Sequence, residues 1–166
     1  CLQSLVEIAT DLTMFKDSRA VEPLINLLEG SSLEVNEVEQ MGIRALAADI
    51  LGDSSDSKAV EPLINALQDE YQGTRYNAAV SLGKFKDERT IQPLIDALQD
   101  SDFDVRRAAA GSLVQQEAVE SLIKALDSND KNVRFAASWA LADIRNPIGS
   151  EALSRIMEDV DPEVGF

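Results

Sequence analysis

The segment AVEPLINLL at residues 20–28 returns almost unchanged as AVEPLINAL at residues 59–67. Two further copies follow, TIQPLIDAL at residues 90–98 and AVESLIKAL at residues 118–126. Self-similarity at a period of about 20–50 residues is the sequence signature of repeat architectures. The central leucines of the four copies are Leu24, Leu63, Leu94 and Leu122. The repeat therefore decides the fold class before any single motif does.

Each copy predicts a helix, which we call the A helix of its repeat. The apolar residues of a copy, such as Leu63, Ile64 and Leu67, fall on one helical face. Aspartates stand at expected N-cap positions, and prolines fall in the first turn, where a missing N–H costs little. These are Asp17, Asp56 and Asp87, and Pro23, Pro62 and Pro93. A weaker fifth copy centres on Leu153.

A second pattern lies between the A helices and predicts the B helices. Its copies are RALAADILG, RYNAAVSLG, RRAAAGSLV and RFAASWALA. They begin at Arg44, Arg75, Arg106 and Arg134. The third, fourth and seventh residues after each Arg are small or apolar, which makes one buried stripe on a helix and lets neighbouring helices approach closely.

The unit is thus a pair of antiparallel helices, and one such pair cannot bury its own apolar face. We predict an all-α fold, a right-handed α-α superhelix of about five helical hairpins, forming a single domain over residues 1–166. A partial B helix opens the chain near Ala9 and Leu12, and DPEV at residues 161–164 indicates the approach to another. Residues 29–40 form an acidic insertion, predicted to be a loop or a helix extension, and the junction after Leu113 is three residues short.

Composition excludes several classes of function. The chain has no His, which removes His-based catalysis and the commonest transition-metal ligand, and we expect no metal site. Its net charge of -15 disfavours binding to nucleic acids and to anionic membranes. The single Cys allows no internal disulfide, which is typical of a reducing compartment, and we expect a cytoplasmic protein.

The paired patterns resemble the HEAT-like repeats named after phycobilin lyases. The best matches are residues 87–100 with 105–113, and residues 58–69 with 75–83. The resemblance extends from about Leu12 to Val164 and implies a HEAT-like or armadillo-type solenoid. In its namesakes the solenoid handles an open-chain tetrapyrrole and the phycobiliprotein whose Cys receives it. Iron-dependent hydroxylases of this architecture need His-Glu pairs, and DNA-repair members need a basic groove, so both are disfavoured here.

The B helices also predict a binding surface. If the stripe above is buried, the first, second, fifth and ninth residues after each Arg are exposed. Aromatic and Arg side chains, which binding surfaces favour, fall on this exposed stripe of three adjacent helices. The candidate binding residues are Tyr76, Lys84, Arg107, Phe135, Trp139, Asp49, Asp53 and Asp143. The alternative is that Phe135 and Trp139 only pack between repeats.

The resemblance implies roles for these residues on a concave face. Arg107 and Lys84 would meet the propionates of a bound phycobilin, the three aspartates its pyrrole N–H groups, and the aromatic residues its rings. No other cofactor is expected. A phycobiliprotein subunit or a second lyase subunit would be the protein partner. The chain would act in bilin attachment, as a lyase or lyase subunit, or as a chaperone for that step. The alternative is a non-catalytic protein-binding scaffold without pigment.

The recurring arginines Arg44, Arg75, Arg106 and Arg134 are assigned a structural role. Residues of one binding site differ between repeats, whereas residues that hold repeats together recur in register. We expect a ladder in which these guanidinium groups bind neighbouring aspartates or backbone carbonyls.

Overall fold

The computed structural model describes residues 18–30, 36–144, 147–148, 150–151 and 154. The helices of this part alternate between A and B helices, and no strand occurs in it. The A helices are α1 (Val21–Leu28), α3 (Val60–Ala66), α5 (Ile91–Asp96) and α7 (Val119–Ala125). The B helices are α2 (Glu37–Asp53), α4 (Gln72–Gly83), α6 (Phe103–Gln115) and α8 (Lys131–Ile144). The predicted all-α repeat superhelix is confirmed. Leu153 itself, the expected N-cap Asp17, the partial helix near Ala9 and the DPEV segment lie outside the described residues.

The A helices are short and bury one apolar face. Their central leucines are completely or almost completely buried, as the alignment predicts. Asp56 and Asp87 do not cap the α-helices themselves. Each caps a 3-10 turn, at Ser57–Ala59 and Glu88–Thr90, that leads directly into the next A helix.

The B helices form the densest layer of the core. The third, fourth and seventh residues after Arg44, Arg75 and Arg106 are all buried, and in α8 Ser138 alone of the corresponding three is half-buried. The acidic insertion lengthens α2, which begins seven residues before Arg44, whereas α4 begins three residues before Arg75. Asn36 caps the extension by accepting a hydrogen bond from the N–H of Glu39. Of the two expected forms, residues 37–40 of the insertion adopt the helix extension, while Glu29 and Gly30 form a turn after α1.

Adjacent B helices approach closely through glycine–serine contacts. A Cβ built on Gly52 would lie only 2.6 Å from the Cβ of Ser81, and one built on Gly83 only 2.8 Å from the Cβ of Ser112. The two serine hydroxyls donate hydrogen bonds across the same interfaces, to the carbonyl of Ala48 at 2.8 Å and of Ala79 at 2.7 Å. We call these the Gly–Ser contacts. They let the backbone of α2 pack directly against the Ser81 side chain of α4, and the backbone of α4 against the Ser112 side chain of α6.

The three-residue deletion after Leu113 has a simple structural basis. The turns from B helix to next A helix place a residue with positive φ at the same position, as Ser55, Lys86 and Glu117 show. In the first two turns the capped 3-10 turn follows. After Glu117 that turn is missing, and α7 begins at Val119. The junction is therefore tight, as the shortened repeat predicts.

Candidate functional site

A groove of about 420 Å³ lies between helices α6 and α8, on the exposed side of the B layer. Three exposed aromatic side chains line it, with Phe103 62% exposed, Phe135 69% and Trp139 46%. Ala110 and Ala136 form its small apolar floor. Exposed aromatic side chains around a small-residue floor are typical of surfaces that bind flat ring systems or apolar anchors.

Two guanidinium groups give the groove its charge. Arg106 lies 5.7 Å from the centre of the Phe103 ring, within reach of a cation–π interaction. Arg107 is largely exposed and donates one hydrogen bond, of 3.1 Å, to the Asp104 carboxylate. None of the described residues that line the groove is acidic, although the chain has 30 Asp and Glu residues. The groove is therefore a locally cationic aromatic site on an acidic protein.

The sequence explains why these residues meet. Phe103, Arg107, Ala110 and Gly111 recur at i, i+4, i+7 and i+8 along α6, so they share one face. Phe135 and Trp139 are four residues apart on α8 and face the same way. Asp102 fixes the start of α6 by accepting hydrogen bonds from the N–H groups of Asp104 and Val105.

The candidate binding residues divide into two groups. Arg107, Phe135 and Trp139 line the groove together. Asp143 is exposed on α8, four residues after Trp139. The others lie outside the groove lining: Tyr76 on α4, Lys84 directly after the last residue of α4, and Asp49 and Asp53 on α2.

Two of these distant residues bind each other. The Nζ of Lys84 donates a 2.7 Å hydrogen bond to the Asp53 carboxylate, which ties the ends of α4 and α2 together. Tyr76 is 36% exposed on the stripe, one helix before the groove. An extended ligand that starts in the groove would have to pass over α6 to reach Tyr76.

Two groove residues, Phe103 and Asn132, are missed by the sequence reasoning, and one, Ala136, is misplaced. Phe103 lies before the Arg from which the exposed positions are counted, yet it is one helical turn from Arg107 and on the same face. Ala136 is predicted to be exposed, but it is buried. It stands at the border between the exposed stripe and the helix interface, where the equivalent residues Asn77 and Ala108 are half-buried.

The four recurring arginines bind the loops between A and B helices. Arg75 donates two hydrogen bonds to the Asp100 carboxylate, at 2.7 and 3.0 Å, and two to the carbonyls of Asp69 and Glu70. Arg44 binds the carboxylates of Asp69 and Glu70 in the same way across repeats. Arg106 and Arg134 each donate to two carbonyls of their own loops, those of Asp100 and Ser101 and those of Ser128 and Asn129.

This pairing shifts the ionisation of the loop aspartate Asp100. Burial tends to raise the pKa of its carboxyl, but hydrogen bonds from Arg75 and from the N–H of Asp102, with the charges of Arg75 and Arg106, outweigh burial and lower the pKa below its ordinary value. The hydrogen bond to Asp100 correspondingly raises the pKa of Arg75. Both partners are thus held in their charged forms.

Other features of the described residues point to no further chemistry. A second hollow of about 330 Å³ lies beside Arg44, but that guanidinium already binds Asp69 and Glu70. No cluster of potential metal ligands occurs among the described residues. None of the helices in the described ranges has the length and apolar character needed to cross a bilayer.

The family model for HEAT repeats matches residues 36–114 and 111–165, well over half of the chain. The chain belongs to the HEAT-repeat family. No curated protein sequence matches this HEAT-repeat chain significantly.

Among solved structures, the HEAT-repeat chain is similar to the complex of CpcE and CpcF of phycocyanin lyase from Nostoc sp. PCC7120. The two share 26% sequence identity with a TM-score of 0.62, over 94% of this chain. The chain spans 65% of the length of that relative. In architecture it is therefore a HEAT-repeat protein similar to a phycocyanin lyase structure, as the sequence motifs indicate.

Proposed function

We propose that this protein handles an open-chain tetrapyrrole and acts in its attachment to a phycobiliprotein, as a lyase, a lyase subunit or a chaperone for that step. The observation that carries the proposal is the cationic aromatic groove between α6 and α8, in a chain similar to a phycocyanin lyase. The proposal takes the exposed stripe of the B helices as the concave face of the superhelix. The more extensive packing between B helices than between A helices supports this choice.

The groove fits the chemistry of a bilin. A bilin is a flat conjugated chain of pyrrole rings that carries two propionates. Phe135 and Trp139 offer faces for ring stacking, and a volume of about 420 Å³ is within the range of small-molecule sites. Arg107 presents a planar fork of donors, which suits a carboxylate. Asp143, on the same face as Trp139, would accept hydrogen bonds from pyrrole N–H groups.

The reaction would require little classical catalysis from this chain. The thiol of the acceptor Cys adds to the bilin, so the protein's contribution is to hold the two reactants in a productive orientation. Orientation alone is worth several kcal/mol of the barrier in intramolecular reactions, about 7–11 at best. A protein partner is in keeping with the relative, which is a complex of two proteins. The acceptor subunit or a second lyase subunit would fill that role here.

The test uses Trp139, the only Trp in the chain. Adding phycocyanobilin or phycoerythrobilin should quench its fluorescence saturably. Arg107→Glu should weaken the effect, because it reverses the charge offered to the propionates. Tyr76→Ala should weaken it too if the ligand extends over α6 to the next helix. Absence of quenching, or quenching that neither substitution changes, would show that no bilin binds as proposed.

A second candidate, a protein-binding scaffold without pigment, is favoured by the same exposed residues. Trp, Tyr and Arg are the side chains most enriched at binding hot spots, and all three stand on the stripe. In that case Phe135→Ala and Trp139→Ala should weaken binding to a purified phycobiliprotein subunit in analytical ultracentrifugation, while bilin leaves Trp139 emission unchanged. Quenching by bilin would exclude this pigment-free function.

A further inference from the structure

The three interfaces between described B helices are not equivalent. The α2–α4 interface has a Gly–Ser contact and a second bond, from the Asn77 Nδ2 to the carbonyl of Ala45 at 2.7 Å. The α4–α6 interface has a Gly–Ser contact and a longer bond, from the Gln116 Nε2 to the carbonyl of Leu82 at 3.3 Å. Each of these interfaces is therefore held by backbone carbonyls that accept from the next helix.

The α6–α8 interface lacks this arrangement. The position of Gly52 and Gly83 is occupied by Val114, and the position of Ser81 and Ser112 by Ala140. In the described residues no side chain of α8 donates a hydrogen bond to a carbonyl of α6. These two helices also contact each other less extensively than the other B-helix pairs do. The groove lies at this interface.

We propose that Val114 and Ala140 set the spacing of α6 and α8 and thereby determine which ligands the groove admits. Val114 is half-buried and packs against the core, so its side chain occupies the space that glycine leaves free in the earlier repeats. The carbonyl of Ala110 stands at the same place in its repeat as the acceptor carbonyls of Ala48 and Ala79. Ala140 is fully buried but has no hydroxyl that could donate a hydrogen bond to it. Val114 adds bulk where the earlier repeats have glycine, and Ala140 lacks the hydroxyl that ties the earlier helices together, so both differences favour a wider spacing above the buried floor of Ala110 and Ala136.

The ligand class follows from the lining. Aromatic side chains and a small apolar floor select a flat ring system. An anionic substituent is favoured by the largely exposed Arg107, which has only one hydrogen bond, to Asp104, and has further N–H donors to offer. The inference deepens the proposed function by naming the residues that set the width of its site. It concerns any planar aromatic anion of suitable width, of which a bilin is one.

The experiment restores the arrangement of the earlier repeats in the double variant Val114→Gly/Ala140→Ser. The probe is anilinonaphthalene sulfonate, an aromatic anion with a flat naphthalene ring that accepts energy from Trp139 when the two are close. We expect the variant to bind the probe at least about fivefold more weakly, a loss of roughly 1 kcal/mol. Acrylamide should also quench Trp139 less, since the closed groove covers its ring.

A matched control carries the same two residue types at exposed neighbouring positions. Gln115→Gly/Ala142→Ser changes the same helices and should bind the probe like the wild type. Circular dichroism in the far and near ultraviolet confirms that both variants are folded, because a loosely packed state would bind the probe by itself. If the double variant does not fold, Ala140→Ser alone decides by the same readouts. Its hydroxyl would reach the carbonyl of Ala110, as the hydroxyls of Ser81 and Ser112 reach those of Ala48 and Ala79.

The outcomes separate this inference from the proposed function. A folded closing variant that binds the probe as tightly as the wild type, with unchanged acrylamide quenching, overturns the inference. If the probe responds as expected and bilin does not bind the wild type, the inference stands and the bilin function fails. If bilin binds the wild type and the folded closing variant equally well, the function stands and the inference fails.

Discussion

The Gly–Ser contacts make a strong prediction about two glycines that look alike in the sequence. Gly83→Ala in α4 should destabilise the protein, whereas Gly111→Ala in α6 should stabilise it. A Cβ at Gly83 would lie 2.6 Å from the Ser112 Oγ, 2.8 Å from its Cβ and 2.9 Å from the Gln115 Oε1. A Cβ at Gly111 has no such neighbour within 4 Å. Real Cβ atoms do not tolerate the first set of distances, so α4 and α6 must move apart.

The magnitude follows from two opposing terms. Replacing Gly by Ala within a helix gains about 0.5–1 kcal/mol, because the unfolded chain loses conformational freedom. Overpacking a close interface costs typically about 1–3 kcal/mol. Gly83→Ala should therefore lower the free energy of unfolding by up to about 2.5 kcal/mol. Gly111→Ala should raise it by about 0.5–1 kcal/mol, since only the first term applies there.

Urea unfolding followed by circular dichroism measures both variants, and thermal midpoints should move by about 2–4 °C for each kcal/mol. Ser112→Gly provides the matching cycle. Alone it removes the hydrogen bond to Ala79, but together with Gly83→Ala it also relieves the clash, so the double variant should be more stable than the sum of the single effects predicts. The reasoning is refuted if Gly83→Ala and Gly111→Ala raise stability equally.

Three further predictions concern single residues. Thr74→Val should stabilise the protein by about 1 kcal/mol in urea unfolding, because the buried Thr74 hydroxyl has no hydrogen-bond partner among the described residues. The equivalent residue of the next repeat, Val105, shows that Val fits this position. A loss of stability would contradict this prediction. The folded state lowers the pKa of Asp100, so the ionised carboxylate stabilises the fold above the ordinary carboxyl pKa, and this stabilisation is lost as the pH falls through the lowered pKa. Asp100→Asn lacks this carboxylate and should therefore lose less stability than the wild type between pH ~7 and ~3. Equal losses would show that Asp100 does not contribute. Arg106→Ala should cost roughly 1–3 kcal/mol and Arg107→Ala at most about 0.5, since only the former binds loop carbonyls; equal costs would contradict the assignment.

The helices and their buried faces are predictable from the sequence because the same pattern of apolar residues recurs in each copy of the repeat. Leu63 and Leu94 stand at the same place in their copies, and each is fully buried for the same reason. The small residues of the B helices indicate close approach, and the contact of Gly83 with Ser112 is what they make possible. The fold is therefore predictable from the periodicity, because the same positions are buried in every repeat.

The groove is only partly predictable. Arg107, Phe135 and Trp139 follow from helical spacing, but the spacing within one helix says nothing about the distance to the next helix. That distance depends on pairs such as Val114 and Ala140, which lie on different helices and fall in register only once both are folded. The same limit explains why the sequence groups Tyr76 and Lys84 with residues from which the structure separates them.

The differences between the B-helix interfaces also have a consequence for how the array comes apart. A solenoid is held together only by couplings between nearest neighbours, so the free energy of a partial opening depends on which coupling breaks. Without a Gly–Ser contact, detaching α7 and α8 while α1–α6 remain folded should need less free energy than opening the array at α2–α4 or α4–α6. Native-state hydrogen exchange would show this as lower protection of amides in Lys131–Ile144 than in Gln72–Gly83. The ligand site would then lie on the part of the array that opens most readily, and any ligand that bridges α6 and α8 would suppress that opening by mass action.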